Sequence, residues 1–93
     1  MFIESAKLIF HIPYASSLKD KRQVRRRLID KARQRFNASI AEVDTHDIHQ
    51  ILTLGVAVVS GDATYAEQSL DEIIRYMEEN TDAELIEVEQ RGT

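Results

Sequence analysis

The residues best suited to binding chemistry in this 93-residue chain are basic ones gathered in a single segment. Residues 17–36 hold nine of the twelve Lys and Arg residues and only two acids, so this segment carries a net charge of +7. The rest of the chain sums to −11, which leaves the whole protein at −4. A positive segment in an acidic protein predicts an anionic partner. The nine basic residues are Lys19, Lys21, Arg22, Arg25, Arg26, Arg27, Lys31, Arg33 and Arg35.

The basic segment has the pattern of an amphipathic helix. The Ser17 hydroxyl can cap the first turn, Asp20 stands at its third position, and Asn37 is a suitable C-terminal stop. These features predict a helix from Ser17 to about Phe36, with an apolar face that recurs every four residues at Val24, Leu28, Ala32 and Phe36.

Helical periodicity predicts which cations face away from the apolar side of the helix and which face towards it. A rotation of 100° per residue turns four of them away from the apolar face, and these are the predicted phosphate contacts: Lys19, Arg22, Arg26 and Arg33. Lys21 and Arg27 are predicted as secondary contacts, although Lys21 and Arg25 point towards the apolar side, where their stems can pack while their charged ends reach water. The helix N-terminus is a further possible phosphate site, unless the Asp20 carboxylate occupies it. The alternatives are a protein partner with an acidic surface and a solvated face balanced by acids elsewhere, such as Glu67, Asp71, Glu72, Glu78 and Glu79.

A second polar group, near the end of the second predicted strand, comprises Asp44, His46, Asp47 and His49. Such side chains can bind a metal or move a proton. Their spacing matches no specific metal motif, so a polar loop is the preferred interpretation and a metal or enzymatic role is the third hypothesis. No catalytic set is predicted, and we expect a non-enzymatic protein without cofactor or bound metal.

The remaining patterns place the basic helix in an α+β fold. Alternation at Ala6, Leu8, Phe10 and Ile12 predicts a first strand that Pro13 ends. The other predicted elements are strands at 39–44, 51–59 and 85–89 and a helix with the stripe Ala66, Leu70, Ile73, Ile74 and Met77, capped by Asp62 or by a Thr64–Glu67 capping box. The order β-α-β-β-α-β predicts a ferredoxin-like sandwich, a four-stranded antiparallel sheet with two helices on one face.

This fold leaves one sheet face without helix cover. Ile9 and one alternating set of the third strand, such as Thr53, Gly55 and Ala57, are expected there, so a homodimer joined through the open sheet face is a second hypothesis. The two central strands hold only one aromatic, Phe10, which alternation assigns to the core. Base stacking on the sheet, as in an RNA-recognition motif, is therefore not expected.

Length and composition limit the classes of protein to which this chain can belong. Residues 1–93 are expected to form one domain. The chain has no Cys, which excludes disulfides and thiolate metal sites. It shows neither a signal-peptide pattern nor an apolar run near the roughly 20 residues of a membrane helix. A cytoplasmic protein with no membrane partner is expected.

Three stretches of the sequence are distinctive: Ser-Leu-Lys-Asp-Lys-Arg at 17–22, Arg-Phe-Asn-Ala-Ser-Ile-Ala-Glu-Val-Asp at 35–44, and Leu-Gly-Val-Ala-Val-Val-Ser at 54–60. Together they resemble the YlxP-like family (domain of unknown function 503) of small uncharacterised bacterial proteins. The resemblance implies a ferredoxin-like fold and no established activity. Family genes often lie among those for translation initiation and ribosome maturation, which points to RNA. Members usually carry Trp at the place of His49 and often an apolar residue at that of Arg25.

The sequence therefore predicts a small accessory protein that contacts RNA or a ribosomal surface through its basic first helix. The alternative is a homodimeric interaction module with no nucleic-acid ligand.

Overall fold

Six elements follow one another in the predicted order in the computed structural model, which describes residues 1–92. They are β1 (Phe2–His11), α1 (Leu18–Arg35), β2 (Ser39–Asp44), β3 (Ile51–Ser60), α2 (Ala63–Glu79) and β4 (Glu84–Gly92). The strands form one antiparallel sheet in the spatial order β2-β3-β1-β4. The ferredoxin-like prediction is confirmed, with the first and third strands central and the last at an edge.

The core lies between the sheet and the two helices. Alternate residues of β1 and β3 point into it, as the period of two predicted, and both helices cover the same face. Burying these side chains is the main stabilisation available to a chain of this size. The fully buried residues include Leu8, Phe10, Leu52 and Leu54 from the strands and Leu28, Ala32, Ile73 and Met77 from the helices. In the part of the chain that the structure describes, no helix is long and apolar enough to span a membrane.

The helix ends follow from capping. The Ser17 hydroxyl accepts a hydrogen bond from the Asp20 N–H at 3.1 Å, as predicted. At α2 the Asp62 carboxylate caps instead of Thr64, because it accepts from the Tyr65 N–H at 2.9 Å. The C-cap of α1 is Phe36 in an extended conformation, one residue before the predicted stop at Asn37.

Two β-bulges change which side chains face the helices. In β4, Ile9 pairs with Glu87 and Phe10 with Leu85, so Ile86 is the extra residue and is 55% exposed. In β2, Glu42 pairs with Leu54 and Asp44 with Thr53, which leaves Val43 as the extra residue. The register before the β2 bulge turns the side chain of Glu42 towards α1.

Candidate nucleic-acid interface on the first helix

Lys21 lies inside the protein. Its side chain is 2% exposed, and Nζ donates to the carbonyls of Thr45 at 2.8 Å and of His46 and Ile51 at 3.2 Å each. Nζ also forms an ion pair with Glu42 Oε2 at 3.0 Å. No phosphate can reach this ammonium. The prediction of a secondary phosphate contact at Lys21 is therefore corrected.

Glu42 joins Lys21 and Arg25 in a buried ion cluster beneath α1. Its carboxylate is 6% exposed, and Oε1 accepts from Arg25 Nη1 at 2.8 Å. Burial alone would raise the pKa of Glu42, but the hydrogen bonds and positive charges of Lys21 and Arg25 outweigh it and hold that pKa below its ordinary value. Sequence reasoning missed Glu42. One sequence signal could have found it. Glu42 occupies a position of β2 that faces the helices, and the apolar side of α1 carries Lys21 and Arg25.

The buried ion cluster predicts an acid-dependent loss of stability. A carboxyl whose folded pKa is depressed stabilises the protein above its unfolded pKa, near 4.5, and ceases to do so as the pH falls through the folded pKa. We expect the difference in free energy of unfolding between the wild type and Glu42→Gln to be large at pH 7 and to shrink below about pH 4.5. Urea unfolding at a series of pH values measures it, with exposed Glu78→Gln as the control. A constant difference across the series would contradict the expectation.

The same cluster fixes the loop between β2 and β3. Thr45 has φ of 54°, in the left-handed region that β-branched residues rarely adopt. Its carbonyl accepts from Lys21, and its hydroxyl lies 2.8 Å from that of Thr53. These contacts hold the strained residue in place. Thr53, which contacts Thr45, is buried, although the alternation pattern placed it on the open sheet face.

The remaining cations of α1 are on the surface. In residues 1–92, none of the exposed basic residues of α1 lies within 4.0 Å of an acid. The acids of α2 therefore form no direct ion pairs with these cations in the described chain, and a solvated face remains the alternative to a binding surface. The exposed basic residues are Lys19, Arg22, Arg26, Arg27, Lys31, Arg33 and Arg35.

These exposed cations occupy two flanks of α1. Arg33 Nη2 donates to the carbonyl of Ile40 in β2 at 2.7 Å. Arg22 and Arg26 lie within about 20° of Arg33 around the helix axis, and Lys19 within about 40°. The structure therefore brings the four predicted primary contacts together on one side, which we call the β2 flank: Lys19, Arg22, Arg26 and Arg33.

The β2 flank is poor in exposed acids. Glu42, the one acid in β2 before its bulge, is buried and paired. Asp30 of α1 is the exposed acid on this side of the helix, four residues after Arg26 and three before Arg33, and it forms no ion pair within 4.0 Å in residues 1–92. The opposite side, which we call the α2 flank, differs. Arg27 and Lys31 line a 230 Å³ cavity together with Glu79 and Asp82. The predicted secondary contact at Arg27 is thus separated from the primary four and lies near acids.

The N-terminus of α1 is already occupied by a carboxylate. Asp20 accepts from Ser16 N at 2.9 Å and from Ser16 Oγ at 2.8 Å. The backbone hydrogen bond from Ser16, with the hydroxyl bond, lowers the pKa of Asp20 and keeps it ionised. A phosphate at this helix end would meet that negative charge, so we place no anion site there.

The loop acids and histidines are not assembled into a site. Asp44, His46, Asp47 and His49 are all exposed, and Asp44 Oδ1 accepts from the Thr45 N–H at 2.8 Å. Within residues 1–92, no group of three or more such side chains is arranged to hold a metal ion.

The open sheet face carries a shallow depression of about 390 Å³. Small residues such as Ala41, Gly55 and Ala57 form its floor. Charged residues cross it, and Lys7 lies 3.9 Å from both Asp44 and Glu89. The face is therefore mixed in character and not a continuous apolar surface.

Fold and site together define the class of protein: a ferredoxin-like α/β sandwich whose first helix, α1, presents exposed basic residues. A de novo designed protein with ferredoxin fold, solved by solution NMR, matches with a TM-score of 0.57 at 18% identity, over 99% of this chain and 84% of that one. Such a likeness shows the fold alone.

The particular family follows from sequence comparison. The model of the family described as protein of unknown function (DUF503) matches residues 3–90. "Uncharacterized protein YlxP" of Bacillus subtilis (strain 168) is 33% identical over 64 residues, which are 69% of this chain and 70% of that protein. The chain belongs to the DUF503, or YlxP-like, family. The family resemblance is confirmed. Membership of this family implies a fold but no established activity.

Proposed function

We propose that this protein is a non-enzymatic accessory factor of the cytoplasm that binds RNA, alone or on a ribosomal surface, through the β2 flank of α1. One observation carries the proposal: the cations of this flank are exposed and make no ion pair in the described chain, although the protein as a whole is acidic. A surplus of exposed positive charge on one side of an acidic protein attracts a polyanion to that side.

The side chains favour phosphate as the ligand group. Three of the four β2-flank residues are Arg, whose planar guanidinium binds phosphate oxygens in a bidentate manner. Arg22 and Arg26 are about 6 Å apart along the helix axis. These contacts are to the nucleic-acid backbone and carry little sequence information.

The salt dependence of RNA binding tests the proposal. With four to six phosphate contacts, log K for a mixed-sequence RNA oligonucleotide should fall with log salt with a slope of about −3 to −5. Fluorescence anisotropy from 50 to about 200 mM NaCl measures this slope. A flat dependence, or no binding at the lowest salt, would reject RNA binding by this helix.

A homodimer through the open sheet face is the second candidate, and the depression floored by Ala41, Gly55 and Ala57 favours it. The homodimer is compatible with RNA binding and would carry two copies of the β2 flank. Light scattering on the same samples distinguishes the two accounts. A dimer that ignores RNA supports the interaction module, whereas RNA binding by a strict monomer supports the helix alone.

A further inference from the structure

A cavity of about 210 Å³ lies where α1 ends and α2 begins. It is lined by Arg35, Phe36, Asn37, Tyr65 and Ser69 together with apolar residues of β3 and α2. Four other surface cavities each contain at least one carboxylate, whereas this one contains none. It is thus the cavity best suited to a ligand attached to phosphate.

The chemistry of the wall matches a nucleobase. Unpaired bases bind proteins by stacking on aromatic side chains and on Arg planes, with polar groups at the base edge. Tyr65 is 64% exposed, so a face of its ring is accessible. Asn37 is exposed and holds no side-chain hydrogen bond within the described chain, which leaves its amide free to contact a base edge. Arg35 forms no ion pair within residues 1–92, and its guanidinium stacks over Tyr76, which lies outside the cavity, at 5.0 Å.

The cavity lies at the C-terminal end of α1, on the side that faces α2. Arg33, the last cation of the β2 flank, binds Ile40 at the start of β2, and Asn37 of the cavity lies in the short connection between α1 and β2. A strand whose phosphates follow Arg22, Arg26 and Arg33 would reach the cavity by passing around the end of α1. We infer that this cavity receives an unpaired nucleobase of the bound RNA, which gives the protein a preference for single-stranded RNA. The inference rests on the proposed function.

Anisotropy titrations of Tyr65→Leu against two RNAs test this pocket. The probes are a single-stranded mixed-sequence oligonucleotide and the duplex of the same sequence. Loss of one stacking ring should raise the Kd for the single strand about tenfold, with the duplex Kd unchanged. Tyr65→Phe keeps the ring and should bind the single strand like the wild type. Tyr14→Leu removes an exposed tyrosine outside the cavity, and it too should bind like the wild type.

The outcomes separate the pocket from the helix. Equal single-strand affinity of Tyr65→Leu and the wild type overturns the pocket, as does wild-type binding of duplex and single strand with equal affinity. In both cases the proposed function stands if the salt slope is as expected. Absence of wild-type binding to either RNA at low salt overturns the proposed function and the pocket with it. Because Tyr65 is exposed, circular dichroism should show an unchanged fold for its variants.

Discussion

Replacing Lys21 by Met is expected to lower the free energy of unfolding by about 3–5 kcal/mol. Removing one partner of a buried ion pair costs this much because the other charge is left uncompensated. Here the carboxylate of Glu42 keeps only Arg25, and the carbonyls of Thr45, His46 and Ile51 lose their donor. Each kcal/mol moves the melting midpoint of a domain of this size by about 4–8 °C.

Urea unfolding of matched variants measures the effect. Lys31→Met removes an exposed cation from the same helix and should change the free energy of unfolding by no more than about 0.5 kcal/mol. The double variant Lys21→Met, Glu42→Gln should recover part of the loss, since the buried charge is removed together with its partner. Equal costs for Lys21→Met and Lys31→Met would show that the buried ion cluster contributes nothing.

The buried ion cluster also changes the meaning of the family resemblance. Lys21 belongs to the Ser-Leu-Lys-Asp-Lys-Arg stretch and Glu42 to the Ala-Glu-Val-Asp stretch, two of the three segments that carry the resemblance. The structure joins them as structural partners. These segments therefore identify the fold more directly than a binding activity.

The sequence predicted those features that depend on local patterns and missed those that depend on contacts between distant segments. The period of two in β1 and the four-residue repeat of α1 fixed which faces are buried, and helical periodicity correctly turned Lys21 towards the apolar side. The hydrogen-bond and ion-pair partners of its ammonium could not be predicted from this periodicity. Its partners at Glu42, Thr45 and Ile51 are 21 to 30 residues away in the chain and meet it only through tertiary packing.

The missed features share the same cause. In β4 the sequence alternates Ile86 and Val88 with Glu87 and Glu89, but a bulge set by the register between β4 and β1 leaves Ile86 exposed. The cavity at Tyr65 is built from the ends of α1, β3 and α2, so no single motif marks it. The division of the basic residues into two flanks required knowing which neighbours, β2 or α2, lie on each side of the helix.

Reversing two charges on the β2 flank should reduce RNA affinity on the order of 100-fold near physiological salt. Arg22→Glu, Arg26→Glu removes two phosphate contacts and places two anions against the RNA backbone. The salt slope should become shallower by about 2, one unit for each lost contact. Arg33 is left intact because its bond to the Ile40 carbonyl covers a polar group at the edge of the sheet.

The matched control reverses the same number of charges on the other flank. Arg27→Glu, Lys31→Glu has the same net charge and lies on the same helix, but it alters the side that faces Glu79 and Asp82. If the binding site is the β2 flank, this control should lose about fivefold or less, through the long-range field alone. Equal losses in the two variants would mean that RNA senses only the net charge of the protein. Unchanged affinity in Arg22→Glu, Arg26→Glu would show that the basic residues of this flank serve solubility and not binding.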